Sequence, residues 1–257
     1  MRAAPPRQCP ADLPLLILPV QAVGKSNEHL WAAGTLTLTA ATALAAWAEI
    51  GRSVARAGVR RLVLMNSHGG NLAVNEILSR ELRVDPGMRV VRAGWGHFGT
   101  PPGMYSDREL RFGIHGGDVE TSLMLHFAPG TVDMSAARDF VSSAETTAIP
   151  PTGPVGYGWI STDLNEAGVV GEAHLATAEK GRATAAGGEG GGVVAGGVRG
   201  GFPGLSPGGM LNHEPEEPLG LCCTNPFSDS SRESSVVAGL HEQTHTAGLQ
   251  DQELAGL

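Results

Sequence analysis

The sequence predicts an α/β fold, a single three-layer α/β/α domain on a mainly parallel sheet. Three observations lead there. Short runs of branched apolar residues, LLILPV (15–20), RRLVLMN (60–66) and MRVVRAGW (88–95), read as buried strands. Longer stretches between and after them place apolar residues at helical spacing. The two kinds alternate, which implies parallel strands joined by crossover helices that cover both faces of a sheet.

Taken in order, LLILPV is the first strand. TAATALAAWAEIGRSVARAG (39–58) is a helix: Thr39 is a fair N-cap, the alanines favour helix, and Gly58 suits the end. RRLVLMN is the second strand. Residues 72–83 form a helix with Asn71 as its N-cap, and MRVVRAGW is the third strand. GDVETSLMLHF (117–127) is a helix stopped by Pro129, and LATAEKGRATA (175–185) is the last helix. The chain changes character near residue 184, where AAGGEGGGVVAGGVRGGFPGLSPGG begins. Glycine loses the most backbone entropy on ordering, and few large apolar residues are there to offset it. The expected organisation is a disordered N-terminus (1–12), one α/β domain (13–184) and a disordered Gly/Pro/Ser-rich tail (185–257).

Composition narrows the function. The chain has 257 residues and a net charge of −8 without basic blocks, which argues against nucleic acid or an anionic membrane as partner. No apolar run approaches the ~20 residues of a membrane span. Cys9, Cys222 and Cys223 make neither a metal spacing nor a disulfide framework, so a reducing cytoplasm is expected.

Three segments could carry chemistry. In MNSHGGN (65–71), His68 sits where a strand ends and a helix begins, the rim at which open sheets bind ligands. It either hydrogen-bonds a neighbouring loop or holds an ion or substrate. Gly69 and Gly70 leave space beside it, or serve a tight turn needing positive φ, and with Asn71 they offer N–H groups to an anion. In HGGDVETS (115–122), His115 precedes a helix whose first turn holds Asp118 and Glu120. Asp118 also suits the helix dipole, whereas Glu120 starts the side facing the sheet or a site. A histidine and a carboxylate near one rim are good zinc or manganese ligands, and a histidine that is no ligand can move a proton. In GKSNEHLWAAGT (24–35), Glu28 and His29 are adjacent. Joint chelation of one ion is not expected of neighbours that point apart, so they line a pocket, order a loop or have no role. Trp31 and Trp95 line a pocket or pack.

In order and separation, these three segments together resemble the creatininase (creatinine amidohydrolase) family, over roughly residues 14–183. The resemblance implies a creatininase-like α/β domain, a dinuclear centre of zinc or manganese, hydrolysis of a C–N bond in a cyclic amide, formamide or small peptide, and assembly into homo-oligomers. His68 matches the ligand histidine of the family's NGHGGN-like motif, with Ser67 in place of glycine. Glu120 matches the ligand glutamate of an HAGExETS-like motif. His115 matches the proton-transfer histidine, with Gly116 replacing alanine. Where creatininase itself has a ligand glutamate this chain has Gly70, which counts against strict creatinine specificity. The family's earlier EHGxHLPxxTD motif is not found, and neither is the first strand–helix unit that presents it. Glu28 and His29 belong to the later segment and do not inherit its roles.

The resemblance therefore implies attack by metal-bound hydroxide on an amide carbon of a small-molecule substrate, with metal on His68 and Glu120 and the proton on His115. Glu28, His29, Gly69, Gly70, Asn71 and Trp95 are the pocket residues. With two protein ligands in view against the usual three of catalytic zinc, weak metal binding or none is expected. The alternative is an inactive paralogue that acts as a binding or assembly subunit, or a non-functional fragment.

Overall fold

The computed structural model describes residues 16–186 and 238–240. The chain divides into two compact units. The described part of the first comprises 16–27, 34–99 and 238–240; that of the second comprises Glu28–Ala33 and Thr100–Ala186. The fold is α/β with a parallel sheet, as the strand–helix alternation implies. The expected disordered ends, 1–12 and 185–257, lie outside the described residues apart from 185–186 and 238–240.

The first unit holds the sheet. Helix α1 is Ala40–Arg56, and Thr39 caps it by accepting the Thr42 N–H at 3.1 Å from an extended backbone. Gly58, at φ +92°, makes the turn out of the helix. Strand β1 is Arg61–Asn66, α2 is Leu72–Val84 and β2 is Arg89–Gly94. β2 pairs parallel to β1 from Arg61↔Arg89 to Asn66↔Gly94. A short strand, β3 (Ala238–Leu240), pairs parallel along the other edge of β1, so the order is β2–β1–β3. Leu62 to Asn66 are all buried, as expected of a central strand with neither face in water. The core joins Ala43, Trp47 and Ala55 of α1 to Leu62 and Leu64 of β1, to Leu78 and Leu82 of α2 and to Met88. Gly51 lets α1 approach Leu82 closely, since a Cβ there would overlap the leucine methyls.

Two expectations need correction. Residues 16–20 of LLILPV form no strand; Ile17 makes only a lone bridge. Leu16 and Val20 are exposed, and Pro19 has no N–H to give a ladder. Asn71 does not cap α2: it is helical itself, and its side chain makes no cap bond.

The second unit is built mostly of helices and loops. Helix α3 is Asp107–Phe112, α4 is Asp118–Phe127, α5 is Ser161–Leu164 and α6 is Ala178–Ala186. Lone antiparallel bridges join His115 to Val170 and Phe140 to Gly171. The helix expected over 175–185 starts at 178 because Thr177 caps it, its hydroxyl accepting the Lys180 N–H at 3.2 Å. Helices α4 and α6 meet through Gly181, where any Cβ would overlap the Ser122 carbonyl oxygen. Lys180 pairs with the buried Asp118 across the same contact, and Ser122 Oγ accepts the Thr177 N–H at 3.1 Å. Ala144, Leu164 and Val170 form a small core with Phe112, Ile114 and Trp159. Among the described residues, no helix is long and apolar enough to cross a membrane.

Candidate active site

In the first unit, β1 delivers its chain to the carboxyl rim of the sheet and His68 follows at once, buried and extended at φ −137°, ψ 124°. Asparagines shape this turn. Asn66 donates from Nδ2 to the His68 carbonyl at 2.7 Å. Asn71 donates from Nδ2 to Asn66 Oδ1 at 3.3 Å, and its Oδ1 accepts the Lys25 N–H at 2.9 Å. That is where the amide expected to cap α2 is engaged. Gly24 packs directly on Asn71, leaving no room there for a Cβ. Neither Gly69 nor Gly70 has the positive φ that a tight turn would require, and a Cβ on Gly69 would meet nothing within 4 Å. A side chain at position 69 would therefore have room. Because Asn66 pairs with Gly94, Trp95 enters at the same end of the sheet. It opens a 3-10 turn, Trp95–Phe98, and meets Phe98 edge-on with ring centroids 6.4 Å apart.

In the second unit the sequence-predicted residues converge further than their spacing suggested. His29 stacks on His115, with centroids 4.0 Å apart and planes at 26°. Glu28 Oε1 lies 4.0 Å from His29 Nε2, and all three side chains are buried. The residues treated as mere neighbours in GKSNEH therefore stand against the histidine of HGGDVETS. The 28–33 segment is fixed by Trp31. Its indole N–H donates to Ser161 Oγ, its ring covers Gly168, and the Ser161 hydroxyl donates to the Glu28 carbonyl at 3.4 Å. Glu120, in the first turn of α4, accepts the Gly116 N–H, and the Thr121 hydroxyl donates to the Gly116 carbonyl at 3.0 Å. Gly116 has φ +69°, which favours glycine where the family-like motif has alanine.

Sequence reasoning missed Glu109, on α3. Its side chain is 1 % exposed, and burial pushes its carboxyl above the ordinary range. Hydrogen bonds from the Glu172 and Val119 N–H groups oppose that shift, while the charges of Asp118 and Glu172 add to it. A signal was present in SDRE (106–109), the S-x-x-E pattern of a capping box. Ser106 does accept the Glu109 N–H at 2.9 Å. Beside it, Arg108 bonds Asp139 at 2.8 Å and Glu145 at 2.9 Å.

By kind, these donors suit a borderline cation. The second unit offers two buried imidazoles, stacked with centroids 4.0 Å apart, and a buried carboxylate 4.0 Å from one of them.

The family model for creatinine amidohydrolase matches residues 2–187. A mycofactocin precursor peptide peptidase from Mycobacterium ulcerans (strain Agy99) is 33 % identical over 169 residues, 65 % of this chain and 60 % of that protein. A creatinine amidohydrolase from Pseudomonas putida is 37 % identical over 117 residues, 41 % of this chain and 45 % of that one. The chain thus spans about 60 % of the length of the mycobacterial relative and less of the Pseudomonas one. A solved structure described as a creatinine amidohydrolase from Bacteroides fragilis NCTC 9343 superposes with TM-score 0.53 at 26 % identity over 62 % of each chain. Two solved creatininases, one described as Zn–Zn type and one as Mn, each give TM-score 0.50 at 28 % identity over 67 % of this chain and 68 % of theirs. With the family match running through all three motif segments, the chain belongs to the creatininase (creatinine amidohydrolase) family.

Proposed function

We propose that this chain carries the residues of a metal-dependent amidohydrolase that breaks a C–N amide bond, with a small peptide as the favoured substrate class. The observation that carries the reading is the buried His29–His115 stack with Glu28 beside it, in a chain of this family. The peptide preference is supported by the four mycofactocin precursor peptide peptidases among its relatives, and by Gly70 at a ligand glutamate of creatininase.

In this reading His68 and Glu120 are metal ligands, and the Zn–Zn and Mn forms of related creatininases support either ion. Such an ion supplies Lewis acidity for the amide carbonyl. His115 takes the proton of the attacking water on an imidazole nitrogen and returns it to the leaving nitrogen. His29, stacked on it, fixes the plane of that ring. Gly69, Gly70, Asn71 and Trp95 shape the rim around His68.

The test is metal content by mass spectrometry on the purified chain, with hydrolysis of short peptides and of creatinine measured alongside. The expected result is bound zinc or manganese and peptide cleavage above creatinine turnover. His68→Ala should lose most of the metal and nearly all turnover; retention of both overturns the ligand assignment. His115→Ala should keep metal and slow the chemistry, and loss of metal there would make His115 a ligand. A chain with neither metal nor turnover overturns the enzyme reading in favour of a binding or assembly subunit.

A further inference from the structure

The structure assigns Glu109 as the positioning residue for the HGGDVETS turn: from α3 its carboxylate clamps the start of α4 to residue 172, and so sets His115 and Glu120. The assignment rests on the proposed function for what the turn does, and on geometry for how it is held.

A helix begins with four N–H groups that lack intrahelical partners, usually met by a side chain at the N-cap. Helix α4 has Gly117 as N-cap, which has no side chain to offer. Glu109 supplies the missing acceptor from elsewhere in the chain. Its Oε1 accepts the Val119 N–H at 3.0 Å, and its Oε2 accepts the Glu172 N–H at 2.7 Å. The same carboxylate thereby ties α4 to the segment that bridges His115 through Val170 and Phe140 through Gly171. A negative group at this helix N-terminus also meets the positive end of the helix dipole.

The glycines around it fit this role. A Cβ at Gly113, Gly117 or Gly171 would overlap the Glu109 carboxylate. Gly113 and Gly117 have φ of −77° and −73°, ordinary for any residue, so backbone conformation does not call for glycine there. Space for the carboxylate does. In HGGDVETS the two glycines have separate reasons: Gly116 for its positive φ, Gly117 for Glu109. Glu109 also departs from the capping box that its own sequence suggests, since its side chain serves Val119 and Glu172.

Both partners of the carboxylate are N–H donors, so an amide in its place can satisfy only one and must set an NH2 against the other. Glu109→Gln is therefore the informative variant, studied in the full chain. Amide hydrogen exchange reads the clamp directly: the Val119 or Glu172 N–H should lose protection, while distant α1 amides keep theirs. Affinity for added zinc or manganese, and kcat, should fall about 10–100-fold with KM little changed, as for the supports of other site residues. In Glu109→Ala, formate should partly restore kcat by filling the space among the three glycines. Gly117→Ala, which crowds the carboxylate without removing it, should repeat the exchange result if Glu109→Gln fails to fold.

Protection retained at both amides in Glu109→Gln overturns the clamp. Clamp loss with wild-type kcat and metal affinity overturns the positioning role. If the wild-type chain binds no metal and cleaves no amide, the proposed function fails instead. The exchange data and the His115 imidazole resonances then still decide whether Glu109 sets the turn.

Discussion

Glu109 takes a carboxylate to a place where water cannot follow, and burial is the leading reason its carboxyl stands above the ordinary value. A carboxyl with a raised folded pKa binds its proton more readily in the folded state than in the unfolded one. Its contribution to stability is therefore fully present below the unfolded value, near 4.5, and is lost as pH rises through the folded value. Urea unfolding of the wild type and Glu109→Ala, from about pH 4 to about pH 8, isolates that contribution from other titrations. The wild type's advantage should shrink as pH rises; an advantage that grows would mean that the two N–H bonds outweigh burial. The contrast with His68, His115 and Glu120 shows what a sequence can disclose at this scale. Those three stand in the short motifs MNSHGGN and HGGDVETS, from which they are proposed as site residues. Glu109 acts through N–H groups 10 and 63 residues away and through glycines on three separate segments, and no local pattern records that. Asn71 taught the same lesson: a residue at a cap position was engaged by Lys25, 46 residues earlier in the chain.

At the scale of elements, two glycines make opposite kinds of helix contact. Gly181 sets α6 against the Ser122 carbonyl of α4, a backbone atom that cannot move aside, whereas Gly51 sets α1 against the methyl groups of Leu82, which can rotate. Gly181→Ala should thus cost about 1–3 kcal/mol or more by overpacking, and Gly51→Ala clearly less. Thermal unfolding of both variants checks the order, and an equal or reversed loss would mean that α6 shifts to absorb the methyl. Thr39→Ala should cost about 1 kcal/mol through loss of the α1 cap, measured the same way. Helix α1, β1, α2, β2 and α4 were legible to within a residue or two because each joins a clear period to clear end signals. LLILPV was not, because an apolar run alone does not supply a partner ladder. Helices α3 and α5 have six and four residues, too few to display a period.

For the whole molecule, a ligand that binds only the folded chain stabilises it by mass action. Zinc or manganese in about hundred-fold excess over its Kd should raise stability by about 2.7 kcal/mol, visible as a higher Tm. His68→Ala should abolish that increase while leaving the Tm without metal nearly unchanged; an undiminished increase would point to binding elsewhere. At this scale the α/β class and the family were both legible, the first from alternation and the second from three ordered motifs. The stack of His29 on His115 was not, because its two rings are 86 positions apart in sequence and only folding brings them together. The anchoring of Trp31 bears on how the chain is made. Its indole meets Ser161 130 residues further on. At roughly 5–20 residues per second of synthesis, that partner emerges on the order of ten seconds later. Contacts of such long separation close slowly, so the segment that carries Trp31 is seated only after a partner made much later has arrived.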